Sequence, residues 1–480
     1  MASRQDQLHS HQFTVERVVS ALVMRDTDPE RPPFRRTAGA TLAGILFAVL
    51  GLAGMAVYGV LSPGGGDWRD GTAVIVERES GARYVYVDGA LHPVPNYASA
   101  LLVIGSPQAH PVTVARSSID GVPRGAPLGI AGAPDPLPDR GRLLGGPWAL
   151  CSAPFADGPA QSVLYVGRSP GGGAELPDGT GLLVATPDGT GYLIWRHHRY
   201  RISRFALGAL AWGAEPLTAV APAFVNAVAA APDLAAPSLP GPVGGPSKVP
   251  GTRVGEVVFE TVPGGARQYA VALADGLAAV TELQAALLLA ASGTGQNSGT
   301  GQKELTPAQF AAQQTAAPLI PAGPNAPPAT RPEMARPRFA DRGLCATVGG
   351  TRDSLAYDVP VSASVPRSAG AGAGAGAGVG AGVGAAAGAG ALAGADRVVV
   401  EPGRGTVVSA QPAPGVPGAL SVVSELGVRY PVPGPDVLAV LGYPDVTPVP
   451  MPSALVALLP VGPALDPAAA RIPGYPQAGH

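Results

Sequence analysis

Lysine is almost missing from this chain: Lys248 and Lys303 are the only two in 480 residues, and arginine carries nearly all the positive charge. A phosphate loop of the GxxxxGK[ST] type therefore has two candidate lysines. Neither GGPSKVPG around Lys248 nor GTGQKEL around Lys303 has the glycine before or the Ser/Thr after that would reach phosphate and magnesium. Charge is scarce too, at 14% of residues with a formal net of -2, so the chain lacks the basic footprint of a nucleic-acid binder. Paired catalytic carboxylates cannot be picked out. The one nucleophile-elbow match, GRSPG from Gly167 to Gly171, fails on chemistry. The residue after the serine is Pro170, which has no N–H for an oxyanion, and the GGGAELPDG that follows cannot form the elbow's helix. His197 and His198 are adjacent and expected on opposite faces of a strand, and His9 and His11 lie near the N-terminus, so no metal site is assigned.

Proline (54) and glycine (67) together make about a quarter of the chain, at the edge of low complexity. The 46% of hydrophobic residues argues against bulk disorder. Folded units joined by Pro/Gly-rich linkers fit both.

From Thr37 to Gly66 there is no charged residue, and TAGATLAGILFAVLGLAGMAVYGVL (37–61) would run about 37 Å as a helix, enough for one membrane crossing. A signal peptide would have a shorter apolar region, and a buried core helix is disfavoured by the complete absence of charge. Arg17, Arg25, Arg31, Arg35 and Arg36 precede it closely, against Arg69 and Arg78 after it. The positive-inside rule puts the N-terminus in the cytoplasm and the bulk outside, a single-pass protein of the cell membrane. Ala40, Gly44 and Ala48 fall four apart, a spacing that lets another helix approach, although Ala/Gly abundance alone also produces it. In segment 1–36, Leu8, Val15, Val18, Val19 and Leu22 sit near helical spacing until Pro29, Pro32 and Pro33 stop the helix. A short helix with one apolar stripe has no core of its own and docks on a partner or on the membrane surface, the acidic residues among the arginines favouring a partner. Leu8, Val15, Val19 and Leu22 are the expected docking residues.

Cys151 and Cys345, the only cysteines, both fall on the outer side, where a lone pair is expected to form a disulfide. A reactive thiol would need a nearby His or helix N-terminus to lower its pKa, and nothing local supplies one.

HPVPNYASALLVIG (92–105) returns in altered form as YRISRFALGALAWG (200–213), AAVTELQAALLLA from Ala278, and YPVPGPDVLAVLG (430–442). Val94, Ile202, Val280 and Val432 end a strand, a helix-start residue follows, and Gly105, Gly213 and Gly442 stop the helix. Two apolar segments around a Gly-bearing turn precede each copy: ESGA, PDGT and PGGA in the first three. The prediction is an α+β chain: a transmembrane helix (37–61), then an elongated region with a disulfide-tied, β-rich core and four small strand-strand-helix repeats. The repeats span 68–106, 172–215, 254–292 and 398–462. The core comprises 107–171 and 341–397, with a low-complexity loop at 369–395. Segments 216–253 and 293–340 are expected as linkers and 463–480 as a tail.

SRQDQLHSHQFTVERVVSALVMRDTDPERPPFRR and WRDGTAVIVERESGARYVYVDGALHPVPNYASALLVIG resemble the EccB family, membrane components of the actinobacterial type VII (ESX) secretion system. The likeness covers nearly the whole chain and is strongest over 1–110 and around the two cysteines. The resemblance implies a structural subunit whose cytoplasmic helix contacts EccC-, EccD- and EccE-type subunits. It also implies an outer region that self-associates, with a mycosin-type protease nearby. Family members have been described as ATPases, and their outer repeats likened to peptidoglycan-binding folds. ATP and a cell-wall ligand are thus expectations of the resemblance alone, since no residue of this sequence is assigned to a cofactor.

Overall fold

The structure, a computed structural model, describes residues 4–24, 34–61, 68–155, 158–170, 176–177, 179–293, 302–313, 316–321, 323, 325–335, 342–351, 354–355, 361–366, 394–413 and 415–474. It opens with two helices, α1 (Arg4–Met24) and α2 (Phe34–Leu61). Among the described residues no helix is long and apolar enough to cross a membrane. Side chains of α2 are described only over 39–55, short of the ~20 apolar residues a crossing takes.

The first repeat is a three-stranded meander, β1 (Ala73–Glu77), β2 (Arg83–Val87) and β3 (Ala90–Val94). It turns between β2 and β3 on Asp88 and Gly89, both at positive φ, as a two-residue hairpin of the right twist requires. Helix α3 (Tyr97–Ile104) follows. Asn96 caps it by accepting from the Ser99 N–H at 2.8 Å, and Gly105, left-handed at φ 70°, closes it. The chain then returns as β4 (His110–Val114), parallel to β1, giving the order β3-β2-β1-β4, and a short turn of helix, α4 (Arg116–Ile119), follows. The unit is therefore not strand-strand-helix: a third meander strand and a parallel return strand belong to it. Residues 110–114, expected in the central core, are part of this repeat.

The central sheet begins with the hairpin β5 (Trp148–Phe155) and β6 (Gly158–Tyr165). The second repeat repeats the topology with β7 (Thr180–Ala185), β8 (Gly191–Trp195), β9 (His198–Ile202), α5 (Arg204–Ala209) and the parallel return β10 (Thr218–Ala219). Helix α6 (Pro222–Ala227) and β11 (Ala229–Ala230) lie in the segment expected as a linker. They are structural: Phe224 is fully buried, and β11 pairs parallel with β9.

In the third repeat the elements are β12 (Val257–Thr261), β13 (Arg267–Ala272), β14 (Leu277–Val280), α7 (Glu282–Gly293) and β15 (Lys303–Glu304), parallel to β12. The presumed linker 293–340 is also built in. Helix α8 (Pro307–Gln313) buries Phe310, and β16 (Glu333–Met334) pairs with β7.

The central sheet is then completed by β17 (Arg342–Val348), β20 (Val361–Pro366) and β21 (Arg397–Val399), in the order β20-β17-β5-β6-β21, with a small hairpin of β18 (Gly350–Thr351) and β19 (Ser354–Leu355) between. The low-complexity loop falls outside the described residues except at 394–395. Strand β21 was read from the sequence as the start of the fourth repeat; it pairs with β6 instead. The fourth repeat is β22 (Thr406–Gln411), β23 (Ala419–Val423), β24 (Arg429–Val432), α9 (Pro435–Val440) and the parallel return β25 (Val449–Pro452). Two more short helices follow, α10 (Ser453–Val456) and α11 (Pro467–Ala470).

A repeat this small buries only part of its apolar surface within itself, as Ile75, Leu91 and Ile119 of the first do, and the rest is buried in pairs. Val74, Leu101 and Leu102 of the first share one cluster with Val422, Val432 and Leu438 of the fourth. Leu193 and Tyr200 of the second pack with Leu283 and Leu287 of the third. The central sheet joins the pairs: Trp148, Leu164 and Leu344 share a cluster with Leu182 and Ile194 of the second repeat and Val408 and Met451 of the fourth. The expected C-terminal tail is a packing element, because Leu465 and Ala470 are fully buried in the core of the first and fourth repeats.

Candidate functional site

Cys151 on β5 stands directly opposite Cys345 on β17, with Cα atoms 4.0 Å apart, and the two are bonded across 194 residues of chain. Both are fully buried, and Ala153 and Tyr165 pack against them. Sequence spacing could not show this adjacency; the count of two cysteines could. Around the disulfide, side chains tie distant parts of the chain to the central sheet. Ser162 and Asp396 bond reciprocally: the Ser162 N–H and hydroxyl both donate to Asp396 Oδ2, at 2.7 and 2.6 Å, and the Asp396 N–H donates to Ser162 Oγ at 3.0 Å. Ser152 Oγ accepts from the Ala221 N–H at 2.9 Å, and Thr406 Oγ1 donates to the Leu144 carbonyl at 2.7 Å.

Two tyrosines extend this pattern. The Tyr443 hydroxyl donates to the Pro138 carbonyl at 2.6 Å across 305 residues, and burial pushes its ionisation far above the ordinary range. Tyr200 donates to the Ala326 carbonyl at 2.8 Å, and burial pushes it up to about 12. Both stay protonated donors at any physiological pH, so they act as fixed struts.

The groups tested in the sequence for chemistry have structural partners. Ser169 Oγ lies 3.0 Å from Thr347 Oγ1 on β17. His197 and His198 do not face opposite sides of a strand. Arg196 and His197 form the tight turn between β8 and β9, at φ 44° and 64°, and His198 Nδ1 lies 2.8 Å from the Arg196 carbonyl. Lys303 donates to the carbonyls of Pro250 and Gly251, at 3.2 Å each. Among the described residues no group of three or more His, Cys, Asp or Glu is placed to hold a metal.

The second repeat carries an open cleft of about 530 Å³, flanked by Asp188, Arg201, Arg204 and Asp233 over Leu207 and Leu234. Hydrogen bonds from the Thr186 hydroxyl, then the Thr190 N–H and hydroxyl, hold the Asp188 carboxyl below the ordinary aspartate range. In the first repeat the Arg116 guanidinium, 2.6 Å from Glu77, does the same for that buried carboxylate, with help from Ser80.

The sequence-predicted docking and packing residues lie apart from all this, on the N-terminal helices. Leu8, Val15 and Leu22 of α1 are exposed and Val19 half-buried, while Ala40, Gly44 and Ala48 lie exposed along α2. A Cβ added at Gly44 would meet nothing within 4 Å.

Four equivalent units, paired two by two about a disulfide-tied sheet, define a repeat-built structural protein. The chain belongs to the EccB family: the family model described as type VII secretion system ESX-1, transport TM domain B, matches residues 1–474. It is 30% identical over 486 residues to the ESX-3 secretion system ATPase EccB3 of Mycolicibacterium smegmatis, covering 96% of this chain and 88% of that protein. Over 310 residues it is 34% identical to the ESX-2 secretion system ATPase EccB2 of Mycobacterium tuberculosis, 61% of this chain and 60% of that one. Among solved structures, the EccB3 dimer from the ESX-3 core complex matches with a TM-score of 0.60 at 28% identity, over 83% of this chain and all of that one. A chain of the intact ESX-5 inner membrane complex shares the fold, with a TM-score of 0.63 at 24% identity over 100% and 97% of the two chains.

Proposed function

We propose that this protein is a membrane-anchored structural subunit of a type VII secretion core complex, scaffolding the assembly on the extracytoplasmic side. One observation carries the reading: all four repeats and the central sheet are spent on holding one another. The buried clusters and the long-range Ser162–Asp396, Tyr443–Pro138 and disulfide ties all serve that end. In this reading residues 37–61 cross the membrane once, with α1 in the cytoplasm and the repeats outside; the charge-free run, the unbroken helix Phe34–Leu61 and the arginine asymmetry support it. The exposed Leu8, Val15 and Leu22 of α1 dock on EccC-, EccD- or EccE-type core subunits, and the repeats self-associate as the ESX-3 relative does in its dimer. Native sizing of gently solubilised membranes, with mass spectrometry of what comigrates, tests it. A particle far larger than a dimer that contains a membrane-bound ATPase subunit is expected, and a free monomer or dimer would overturn the reading.

ATP hydrolysis, the second reading, rests on the names of the relatives. Saturable turnover by the purified full-length protein, lost on a point substitution, would establish it, and no turnover would retire it.

A further inference from the structure

The edge strand of each meander, β3, β9, β14 and β24, would be an open template for pairing if nothing covered it. In every repeat an extended segment downstream covers it, and the four coverings are the same. Two N–H groups three residues apart donate to two carbonyls two residues apart on the third strand. In the first repeat Gly125 donates to Leu91 at 3.0 Å and Leu128 to Pro93 at 3.0 Å. In the second, Ala231 donates to Arg199 at 2.9 Å and Leu234 to Arg201 at 2.8 Å. Ala316 to Leu277 and Leu319 to Ala279, at 3.3 and 3.0 Å, do the same in the third. Gly462 to Arg429 and Leu465 to Pro431, both at 2.8 Å, complete the set. The acceptors Pro93, Arg201, Ala279 and Pro431 each stand one residue before the strand-ending Val94, Ile202, Val280 and Val432, so the register is common to all four.

The covering segments read GAPL (125–128), APDL (231–234), AAPL (316–319) and GPAL (462–465): a small residue, two residues of which one is proline, then leucine. Each part has a physical reason. The first residue must be small because it lies against the third strand's next side chain. A Cβ on Gly125 would run into the His92 ring, and one on Gly462 into the Tyr430 ring. The proline falls between the two donors, where no N–H is used. The leucine enters the repeat's core, with Leu128, Leu234 and Leu465 at 6%, 3% and 0% exposure and Leu319 half-buried against the third repeat's cluster. Pro93 and Pro431 give the strap a carbonyl and have no outward N–H to leave unpaired, which explains why HPVP and YPVP recur.

We infer that each repeat is a strand-accepting site whose ligand is an extended small-residue, proline-bearing, leucine-ended segment, and that each site is filled by the repeat's own strap. Recognition is by the two carbonyls of the third strand and a core pocket for one leucine, as in other modes of strand addition.

Hydrogen exchange on the full-length protein in detergent tests it. Leu319→Ser should raise exchange at the strap amides 316 and 319, which make the two bonds, and at 277–280 as the uncovered edge frays, by about tenfold or more, and leave the other three repeats unchanged. A synthetic AAPLIP peptide (the sequence of 316–321) at millimolar concentration should restore protection, and the same peptide with serine for leucine should not. Gly462→Val, which drives the fourth strap off Tyr430, should produce the same local rise at 429–432, and it stands in if the serine variant fails to fold. Unchanged exchange at both third strands, or equal restoration by the serine peptide, would overturn the inference.

Discussion

At the scale of single residues, Glu77 and Trp148 make opposite demands on their surroundings. The Glu77 side chain is only 6% exposed, and its carboxyl is held below the ordinary glutamate range by Arg116, then Ser80. A carboxyl depressed in the folded state stabilises it above the unfolded-state pKa, and that stabilisation is lost as the pH falls through the folded value. Glu77→Gln should therefore lower the melting temperature at neutral pH, with the gap to the parent closing below the ordinary glutamate range. A gap that persists in acid would mean that something other than the charge was lost. Trp148 is fully buried in the central cluster, and its indole N–H has no acceptor among the described residues. Phenylalanine keeps most of the ring and removes the orphan donor, so Trp148→Phe should change stability by only about 1 kcal/mol. Trp148→Ala should cost about 3–5 kcal/mol, read by urea denaturation.

At the scale of elements, the disulfide is the simplest to test. It closes a loop of 194 residues, and Cys151→Ser or Cys345→Ser should each cost about 3–5 kcal/mol in urea denaturation. Reducing the parent should reproduce that loss, because both routes open the same cross-link. Legibility in the sequence divides along the same elements. The capped helix of the first repeat was readable because it carries a full set of signals, Asn96 before Tyr97 and Gly105 after Ile104. By contrast, α9 has no side-chain cap, and α5 ends at Ala209, ahead of the Gly213 expected to stop it. The second hairpin turn was harder. Asp88–Gly89 has the residues such turns favour, but its counterpart Arg196–His197 takes the same positive φ without any glycine, and nothing in the sequence marks it. The return strands β10 and β15 have two residues each, too few to show alternation. Two straps, 231–234 and 316–319, fall in segments read as linkers because proline is common in both, while 125–128 falls in the expected core and 463–465 in the expected tail. What separates them is the leucine and its hydrogen-bond register, which only the fold displays. The pairing Cys151–Cys345 was legible from the count of cysteines, whereas Ser162–Asp396 and Glu77–Arg116 join residues too common to stand out.

At the scale of the whole molecule, the first repeat depends on the last segment of the described chain. Arg471 Nε donates to the Val103 carbonyl at 3.2 Å, the Gly474 N–H donates to the Pro127 carbonyl at 3.0 Å, and α11 lies against α3. Ending the chain after residue 466 should speed amide exchange in α3 (97–104) and leave the second and third repeats as they were. Equal change throughout would mean that the repeat pairs are not separable units.

The two kinds of closure also run on different clocks during synthesis. The first repeat seals its strand edge with residues 125–128, within its own stretch of chain, but its apolar face waits for Val422, Val432 and Leu438 of the fourth. At ordinary elongation rates that wait is about 15–60 s. For this interval the newborn unit exposes a greasy face while its β3 edge is already covered. A holding chaperone that grips side chains would thus find its target, while a neighbouring nascent chain seeking to extend the sheet past β3 would not.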